Sequence, residues 1–338
     1  MSKKFSVLIL TIIMAVLVAA CGAGNSNNTN TAPANSTAGA AAENTASNAP
    51  ADEAAQPAET EELTITHQYG DTKVKKNPKK VVVFDFGVLD SLDKLGVEVT
   101  GVPQANIPPY LEKYADAKYE NVGSLKEPDF ERISAIQPDL IIISGRQGEA
   151  YEELSKLGST IFMGVDANRY MESFEENMKT LGEIFGKEAE VEQELAAVEQ
   201  AVADLKAKAE ASGKKALIIL AQDGNISAYG PGSRFGIIHD VFGFEAVDPE
   251  IKVDTHGQSI SSEYIVEKNP DYLFVIDRAA AVGGESSAKQ TVENELVKTT
   301  KAAQEGHIFY LNPNYWYLSG GGLISVSEMV KEIAATLE

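Results

Sequence analysis

Two arginines, Arg146 and Arg278, follow two copies of one sequence pattern. In each copy a short amphipathic helix ends at a Pro-Asp pair, at 138–139 or 270–271, and an apolar run comes next, over residues 140–143 in the first copy and 272–276 in the second. An all-apolar run predicts a strand of a covered parallel sheet, and the ligands of such sheets bind beyond the carboxyl ends of the strands. Both arginines stand at that end, so we expect them to face a cleft.

A third arginine, Arg234, follows a Gly-Pro-Gly-Ser loop. Ser233 is the predicted N-cap of a helix that carries Arg234 and ends at Gly243. A guanidinium is always charged and has five donors suited to oxyanions. We therefore expect Arg146, Arg234 and Arg278 to converge on a trianionic ligand, while a surface ion pair or a helix-end contact is the alternative for each arginine alone.

An aromatic cluster, Tyr315-Trp316-Tyr317, precedes three glycines at 320–322. Aromatic rings beside a cleft suit a ligand that carries rings itself. Trp316 and Tyr317 are accordingly predicted ligand-binding residues. The alternative is that the cluster packs in the core where a strand turns into a helix.

Two glutamates, Glu131 and Glu263, occupy equivalent positions in the first helical turn of the two pattern copies. Matched carboxylates on two lobes predict docking to a partner with two-fold symmetry. The alternative is compensation of the helix dipole, and the two roles are compatible.

Metal binding and catalysis have little support in the sequence. The four histidines form no i, i+4 pair, so a zinc or manganese cage is not indicated: His67, His239, His256 and His307. No G-x-S-x-G nucleophile motif is present, and the one conceivable pair, Ser233 with His239, lacks a third orienting group. We expect no enzymatic activity, no resident metal and no other cofactor.

The composition limits the partners of the chain. Its 338 residues are 43% hydrophobic, which supports cores in two domains, and the formal charge of −21 argues against nucleic acid as a partner. Cys21 is the only cysteine, which excludes an internal disulfide and a multi-cysteine metal site. An anionic ligand would therefore have to meet a local basic patch.

The first 20 residues have the layout of a secretory signal peptide, with two lysines, an apolar run and small residues before Cys21. Residues 18–21 resemble the bacterial lipobox, which implies that Cys21 becomes a lipidated N-terminus. Residues 21–62 are rich in Ala, Asn, Thr and Ser and are predicted to be a disordered tether. We expect the folded part to begin near Leu63.

The remaining chain predicts an α/β fold of two Rossmann-like lobes with mostly parallel sheets. Alternating strands and helices define an N-terminal lobe over 63–170 and a C-terminal lobe over 214–338. The Glu-, Ala- and Lys-rich stretch 171–213 is predicted to be one long connecting helix, with a break near Gly186 left open. Such a connector would limit how far the lobes can open.

From Leu63 to its end, together with the lipobox, the chain resembles the substrate-binding lipoproteins of iron–siderophore ABC importers, which have a class III periplasmic-binding fold with a helical backbone. Within that family it is most similar to the petrobactin-binding members of Gram-positive bacteria. The segments that carry the resemblance are 81–87, 122–131, 144–147, 230–236, 275–278 and 316–322.

The resemblance implies a lipid-anchored monomer on the outer face of the bacterial cytoplasmic membrane, which captures a ferric siderophore in the cleft and delivers it to an ABC permease. It implies that Arg146, Arg234 and Arg278 bind a ferric catecholate, petrobactin or a relative, and that Glu131 and Glu263 engage the permease. Iron would arrive already chelated. Haem, cobalamin or a ferric hydroxamate are alternative cargoes, and a metal-ion receptor or a siderophore hydrolase are remote alternatives.

Overall fold

The computed structural model describes residues 61–284 and 288–338, which form two α/β lobes. The strands are β1 (Glu62–His67), β2 (Gly70–Lys75), β3 (Val81–Val83), β4 (Gly101–Val102), β5 (Glu120–Asn121), β6 (Leu140–Ile143), β7 (Thr160–Phe162), β8 (Lys215–Gln222), β9 (Asn225–Tyr229), β10 (Glu245–Ala246), β11 (Gln258–Ile260), β12 (Tyr272–Asp277) and β13 (Ile308–Leu311). The helices are α1 (Phe86–Lys94), α2 (Phe130–Ile136), α3 (Tyr151–Leu154), α4 (Tyr170–Phe185), α5 (Glu188–Ser212), α6 (Ile237–Asp240), α7 (Ser262–Lys268), α8 (Arg278–Ala281), α9 (Ala288–Val292), α10 (Lys301–Gln304) and α11 (Leu323–Ala334).

The predicted signal peptide (1–20), the lipidation site Cys21 and the predicted tether up to residue 60 lie outside the described residues. The folded part begins close to the predicted position, with β1 starting at Glu62. None of the helices that the structure describes is both long enough and apolar enough to span a bilayer.

The N-terminal lobe contains a five-stranded sheet in the order β5-β4-β3-β6-β7, and all its strands are parallel. Every residue of β3 and β6 is buried, as expected for strands that helices cover on both faces. The strand order reverses direction between β3 and β6, which is where ligands of such sheets bind. The predicted parallel sheet is confirmed. The β1–β2 hairpin forms a separate antiparallel sheet.

The C-terminal lobe contains a six-stranded sheet in the order β11-β9-β8-β12-β13, with β10 also paired to β8. Strands β8, β12 and β13 are parallel, whereas β9 returns antiparallel to β8. The turn between β8 and β9 has positive φ at both central residues, 50° at Asp223 and 77° at Gly224, which suits the twist of a two-residue hairpin. The Asp223-Gly224 dipeptide is a favoured sequence for such a hairpin turn.

The repeated sequence pattern corresponds to two matched units, α2 followed by β6 and α7 followed by β12. Both helices end in a left-handed residue, Gln137 with φ of 54° and Asn269 with φ of 43°. The aspartate of each Pro-Asp pair then accepts a backbone hydrogen bond at the start of the neighbouring strand: Asp139 from Lys80 at 2.9 Å and Asp271 from the first residue of β8 at 3.0 Å. These bonds align the start of β6 with the start of β3, and the start of β12 with the start of β8.

The connecting stretch consists of two helices rather than one. Gly186 adopts a left-handed conformation with φ of 63° and ends α4, and α5 begins two residues later. The 25 residues of α5 span about 37 Å. Its first half pairs with the N-terminal lobe through Glu194 and Lys94 at 3.2 Å, and its second half lies against Gly243 of the C-terminal lobe at Lys206. Helix α5 therefore contacts both lobes.

The last helix, α11, returns to the N-terminal lobe and packs against α1 and α5. Its first turn is held by the buried Asp90 of α1, which accepts hydrogen bonds from the backbone N–H groups of Ile324 at 3.1 Å and Ser325 at 3.0 Å. The backbones approach closely here, since a Cβ added to Gly322 would lie 2.1 Å from Asp90 Oδ1 and from the carbonyl oxygen of Gly87. A carboxylate of one lobe thus caps a helix of the other.

Burial raises the pKa of Asp90 to about 7, although the hydrogen bonds from Ser325, Ile324 and Tyr110 favour the charged form. A buried carboxylate is costly because water no longer solvates it. At neutral pH the Asp90 carboxyl group, which lies at the junction between α1 and α11, is therefore close to the midpoint of its titration.

Replacing Gly322 by alanine is expected to lower the free energy of unfolding by about 3 kcal/mol, because the added methyl group meets backbone and a buried carboxylate that cannot move away. Gly145→Ala is the matched control, since a Cβ at Gly145 has no atom within 4 Å. Chemical denaturation measures both variants, and equal stabilities would contradict this close approach.

Asp90 is also expected to make stability depend on pH. Its folded pKa of about 7 lies above the unfolded value of about 3.9, so between those values the folded chain keeps a proton that the unfolded chain releases, and stability falls as pH rises. Asp90→Asn removes this contribution. The stability advantage of the wild type over Asp90→Asn should therefore be larger at pH 5 than at pH 8. Denaturation at both pH values tests this, and an advantage that grows with pH would refute it.

Candidate ligand-binding site

Arg146 lies where the prediction placed it, directly after β6 of the N-terminal lobe. The turn that carries it begins with a capping box, in which the backbone N–H of Ser144 donates to Gln147 Oε1 at 3.0 Å. From this turn Arg146 reaches the other lobe: its Nη2 donates to the carbonyl oxygen of Tyr317 at 2.6 Å and its Nη1 to that of Leu318 at 3.4 Å. The guanidinium therefore bridges the cleft.

Arg278 also lies at the predicted strand end, as the first residue of α8 directly after β12. The Asp277 carboxylate caps this short helix by accepting from the N–H of Ala280 at 3.1 Å. Arg278 Nε donates to the phenolic oxygen of Tyr317 at 2.8 Å. The two copies of the sequence pattern thus bring one arginine each to the same tyrosine.

Arg234 reaches the same residue from the loop after β9, with Nη2 2.5 Å from the carbonyl oxygen of Tyr317. The predicted helix around it is wrong in extent, since α6 begins only at Ile237. Ser233 is not its N-cap, because the serine hydroxyl donates to the carbonyl oxygen of Gly230 at 2.6 Å. The loop is held instead by Asp240, which accepts from the N–H of Gly232 at 2.7 Å.

Tyr317 is the centre of this basic cluster, which comprises Arg146, Arg234, Arg278 and Tyr317. The guanidinium carbons of Arg234, Arg278 and Arg146 lie 4.4, 5.7 and 5.9 Å from the centre of its ring, within the range of cation–π attraction. Burial acts to raise the pKa of Tyr317, but the Arg278 hydrogen bond and the three positive charges outweigh it and lower the pKa. The site favours negative charge on a phenolic oxygen.

The arginines of this chain fall into two groups. Arg132 pairs with Glu120 at 3.7 Å, and Arg169 pairs with Glu172 at 2.7 Å. The three arginines of the basic cluster form no ion pair with any carboxylate among the described residues, and their acceptors are carbonyl and phenolic oxygens of Tyr317 and Leu318. Three neighbouring positive charges repel one another, and a bound anion would relieve that repulsion.

Trp316 does not join the basic cluster, so its prediction as a ligand-contacting side chain is corrected. It is 3% exposed, packs edge-on against Phe242, and donates its indole N–H to Glu332 of α11 at 2.8 Å. Neighbouring side chains on the π-helical turn Asn314–Ser319 point in different directions, and a buried indole needs an acceptor. Of the two aromatic predictions, only Tyr317 meets the arginines.

A cavity of about 250 Å³ adjoins the basic cluster. Sequence reasoning missed most of its polar lining: Gln222, Asn225, Ser227, Tyr229, Thr255 and His256. The Asp223-Gly224 turn dipeptide could have indicated Gln222 and Asn225, because the turn places both at the edge of the sheet where β8 ends. Burial raises the pKa of Tyr229 to about 12, so its hydroxyl is a neutral donor at neutral pH.

The N-terminal lobe contributes a buried carboxyl group near Arg146. Asp85 follows β3 and caps α1 by accepting from the N–H groups of Gly87 at 2.8 Å and Val88 at 2.9 Å. Burial raises its pKa, while the Ser144 hydroxyl, the α1 backbone and the Arg146 charge act in the opposite direction. This carboxyl group is committed to the helix start, which leaves Arg146 available to the cleft.

Glu131 and Glu263 are exposed in the first turns of α2 and α7, the matched helices of the two lobes. A hydrogen bond with Ser261 lowers the pKa of Glu263, so this carboxylate is charged at neutral pH. The structure thus gives each lobe one outward carboxylate at the same position of its repeated unit.

The alternatives based on histidine are not supported by the geometry. His239 bonds to the carbonyl oxygen of Phe244 rather than to Ser233, so the conceivable hydrolase pair is not formed. His67 contacts Tyr151, His256 lines the cavity and His307 stacks on an aromatic ring of β12. No group of three or more metal-ligating side chains occurs within the described ranges.

Two known proteins are similar to this chain over most of its length. Petrobactin-binding protein YclQ from Bacillus subtilis is 49% identical over 340 residues, covering 99% of each chain. Ferric-anguibactin-binding protein FatB from Vibrio anguillarum is 31% identical over 284 residues, covering 82% of this chain and 88% of FatB.

Solved structures share the fold. The crystal structure of YclQ superposes with a TM-score of 0.81 at 55% identity and covers 82% of this chain and 99% of its own. The periplasmic catecholate-siderophore binding protein VctP from Vibrio cholerae gives 0.78 at 38% identity, over 81% of this chain and 100% of VctP. The sequence model of the periplasmic binding protein family matches residues 81–315. With a match over more than half of its length and relatives this similar, the chain belongs to the periplasmic binding protein family.

Proposed function

We propose that the protein captures an anionic ferric siderophore, petrobactin or a related catecholate, in the cleft between its lobes and delivers it to an ABC permease. The observation that carries the proposal is the convergence of Arg146, Arg234 and Arg278, from both lobes, without a carboxylate partner in the described part of the chain. Catecholate oxygens on ferric iron carry net negative charge, which these guanidiniums would neutralise.

The relatives support this ligand class. YclQ is named for petrobactin, FatB for ferric anguibactin, and VctP for catecholate siderophores. Tyr317 supports the same class, because three guanidiniums already lie around a phenol ring and one of them, that of Arg278, donates to its oxygen. A catechol ring of the ligand would find the same combination of ring faces and donors. In this proposal the protein supplies charge and shape to iron that is already chelated.

The proposal includes a lipid anchor at Cys21. The lipobox-like residues before it and the Ala- and Asn-rich tether after it would hold the folded lobes at the outer face of the cytoplasmic membrane. Each buried methylene of a lipid chain contributes about 0.8 kcal/mol, so several chains retain a protein at a membrane. The folded body would act as a monomer that meets its permease there.

Titration with ferric petrobactin, a ferric hydroxamate and haemin tests the ligand class. The only tryptophan, Trp316, is the chain neighbour of Tyr317, so its fluorescence reports on the site. We expect tight quenching by ferric petrobactin and weak quenching by the other two. Tighter binding of the hydroxamate or of haemin would retain a receptor role and overturn the assignment of the arginines to a catecholate.

Replacing Arg146, Arg234 and Arg278 together by alanine is expected to weaken ferric petrobactin binding more than about 1000-fold, since each charged hydrogen bond contributes roughly 1.5–3 kcal/mol. Arg132→Ala with Arg169→Ala is the matched control, because those arginines pair with glutamates outside the cluster. Circular dichroism establishes that both variants are folded. Retained affinity in the triple variant would place the site elsewhere.

We further propose that Glu131 and Glu263 dock the protein to arginines of the permease. Replacing both by alanine should leave ferric petrobactin affinity unchanged and lower the transport rate about tenfold, because charge pairs across an interface govern encounter and register. Glu183→Ala with Glu192→Ala is the control, since both residues are exposed but lie at the junction of α4 and α5. Iron uptake by reconstituted permease vesicles measures the difference, and equal rates would exclude this docking role.

A further inference from the structure

The segment that carries Tyr317 has little internal support. Tyr317 lies on the π-helical turn Asn314–Ser319, and the glycine bridge, residues 320–322, follows at once. The first two residues of this bridge have positive φ, 46° at Gly320 and 95° at Gly321. A π-helical turn is rarely stable alone, and glycine adds conformational freedom. Contacts from outside the segment must therefore fix the position of Tyr317.

One such contact is a chain of hydrogen bonds that begins at Ser319, two residues after Tyr317. The hydroxyl oxygens of Ser319 and Tyr110 are 2.6 Å apart, and the Tyr110 hydroxyl is 3.0 Å from Asp90 Oδ2. An ionised carboxylate can only accept, so Tyr110 donates to Asp90 and Ser319 donates to Tyr110. Bonds in such a chain polarise and strengthen one another where water is excluded.

The same carboxylate holds both ends of the glycine bridge. Before the bridge, Asp90 acts on Ser319 through Tyr110. After the bridge, it accepts directly from the N–H groups of Ile324 and Ser325. A flexible segment with both ends attached to one buried group has little freedom left, and the turn before it is fixed accordingly.

Tyr110 belongs to the N-terminal lobe, on the 3₁₀ helix Pro109–Ala115, and therefore acts across the cleft. Its ring packs against Tyr315 of the π-helical turn, with the ring centres 4.8 Å apart. Burial and the Asp90 charge raise the pKa of Tyr110, so the hydroxyl keeps its proton and remains a donor. The residue thus contacts the turn through both its ring and its hydroxyl.

We propose that Tyr110 is a positioning residue of the ligand site: through Ser319 it holds the turn that presents Tyr317 to Arg146, Arg234 and Arg278. The proposal rests on the ligand-binding function of that cluster. The affinity of the cleft for its ligand then depends partly on the Tyr110 hydroxyl, which acts on the basic cluster through Ser319.

Tyr110→Phe in the full chain tests the proposal at pH 8, where Asp90 is mostly ionised. The variant loses the hydrogen bonds to Asp90 and to Ser319, and loss of the Ser319 bond, which holds the turn, should weaken ferric petrobactin binding about five- to tenfold. Tyr114→Phe is the matched control, because Tyr114 lies on the same 3₁₀ helix and its hydroxyl donates to Asp93 of α1 at 3.1 Å, away from the π-helical turn. The control should bind as the wild type does.

Two further measurements separate positioning from a general loss of stability. Ultraviolet titration, with Tyr317→Phe as the reference, should find the Tyr317 phenol ionising at higher pH in Tyr110→Phe than in the wild type, because the ring leaves the arginines. In a double-mutant cycle, Ser319→Ala should weaken binding as Tyr110→Phe does, and the combined variant should be no weaker than either.

Wild-type affinity in Tyr110→Phe, an unchanged Tyr317 titration, or additive losses in the cycle would each overturn the positioning role. A wild-type protein that does not bind ferric petrobactin would refute the proposed function instead. The two failures are thus distinguishable in one series of titrations.

Discussion

The buried carboxylate of Asp90 is the contact on which the arrangement of the two lobes depends. It belongs to α1 of the N-terminal lobe, yet it accepts hydrogen bonds from backbone N–H groups at the start of α11, the last helix of the chain. Capping a helix satisfies donors that would otherwise be buried unpaired, so this junction resists separation. Because α11 also packs on α5, which contacts both lobes, the junction at Asp90 and the helix α5 connect the same two parts of the molecule.

The basic cluster depends on that junction, because it combines groups from both lobes. Arg146 comes from the N-terminal lobe, and Arg234, Arg278 and Tyr317 come from the C-terminal part of the chain. A protein of net charge −21 repels anions at long range, so attraction must come from unpaired positive charge within the cleft. The chain meets this need by pairing Arg132 and Arg169 with glutamates and leaving the cluster arginines to carbonyl and phenolic oxygens.

Much of the fold follows from local sequence rules, and the places where the structure differs from the sequence predictions have physical causes. Apolar runs with Pro-Asp pairs located β6 and β12, and with them the positions of Arg146 and Arg278. The sequence does not decide whether the helix breaks at Gly186, because tertiary contacts determine whether a glycine inside a helical pattern ends the helix.

The site was less predictable than the strands. Trp316 and Tyr317 are adjacent and chemically similar, and only the π-helical turn decides that one enters the core while the other meets the arginines. Ser233 looked like an N-cap, but the loop satisfied it locally. The hydrogen bond between Tyr110 and Ser319 joins residues 209 positions apart, and no local pattern could have indicated it.

The repeated units also determine where the two exposed glutamates lie relative to the arginines of the basic cluster. Strands β5 and β6 are parallel, so α2, which lies between them in the chain, begins at the edge of the sheet where β6 ends and Arg146 follows. Strand β11 is antiparallel to β9, and β9 to β8, so β11 runs parallel to β12, and α7 likewise begins at the edge where Arg278 lies. Glu131 and Glu263 therefore share sheet edges with the arginines of the cleft. A permease that held both carboxylates would face the opening of the cleft, so docking and release would occur on one surface without the lobes having to turn over.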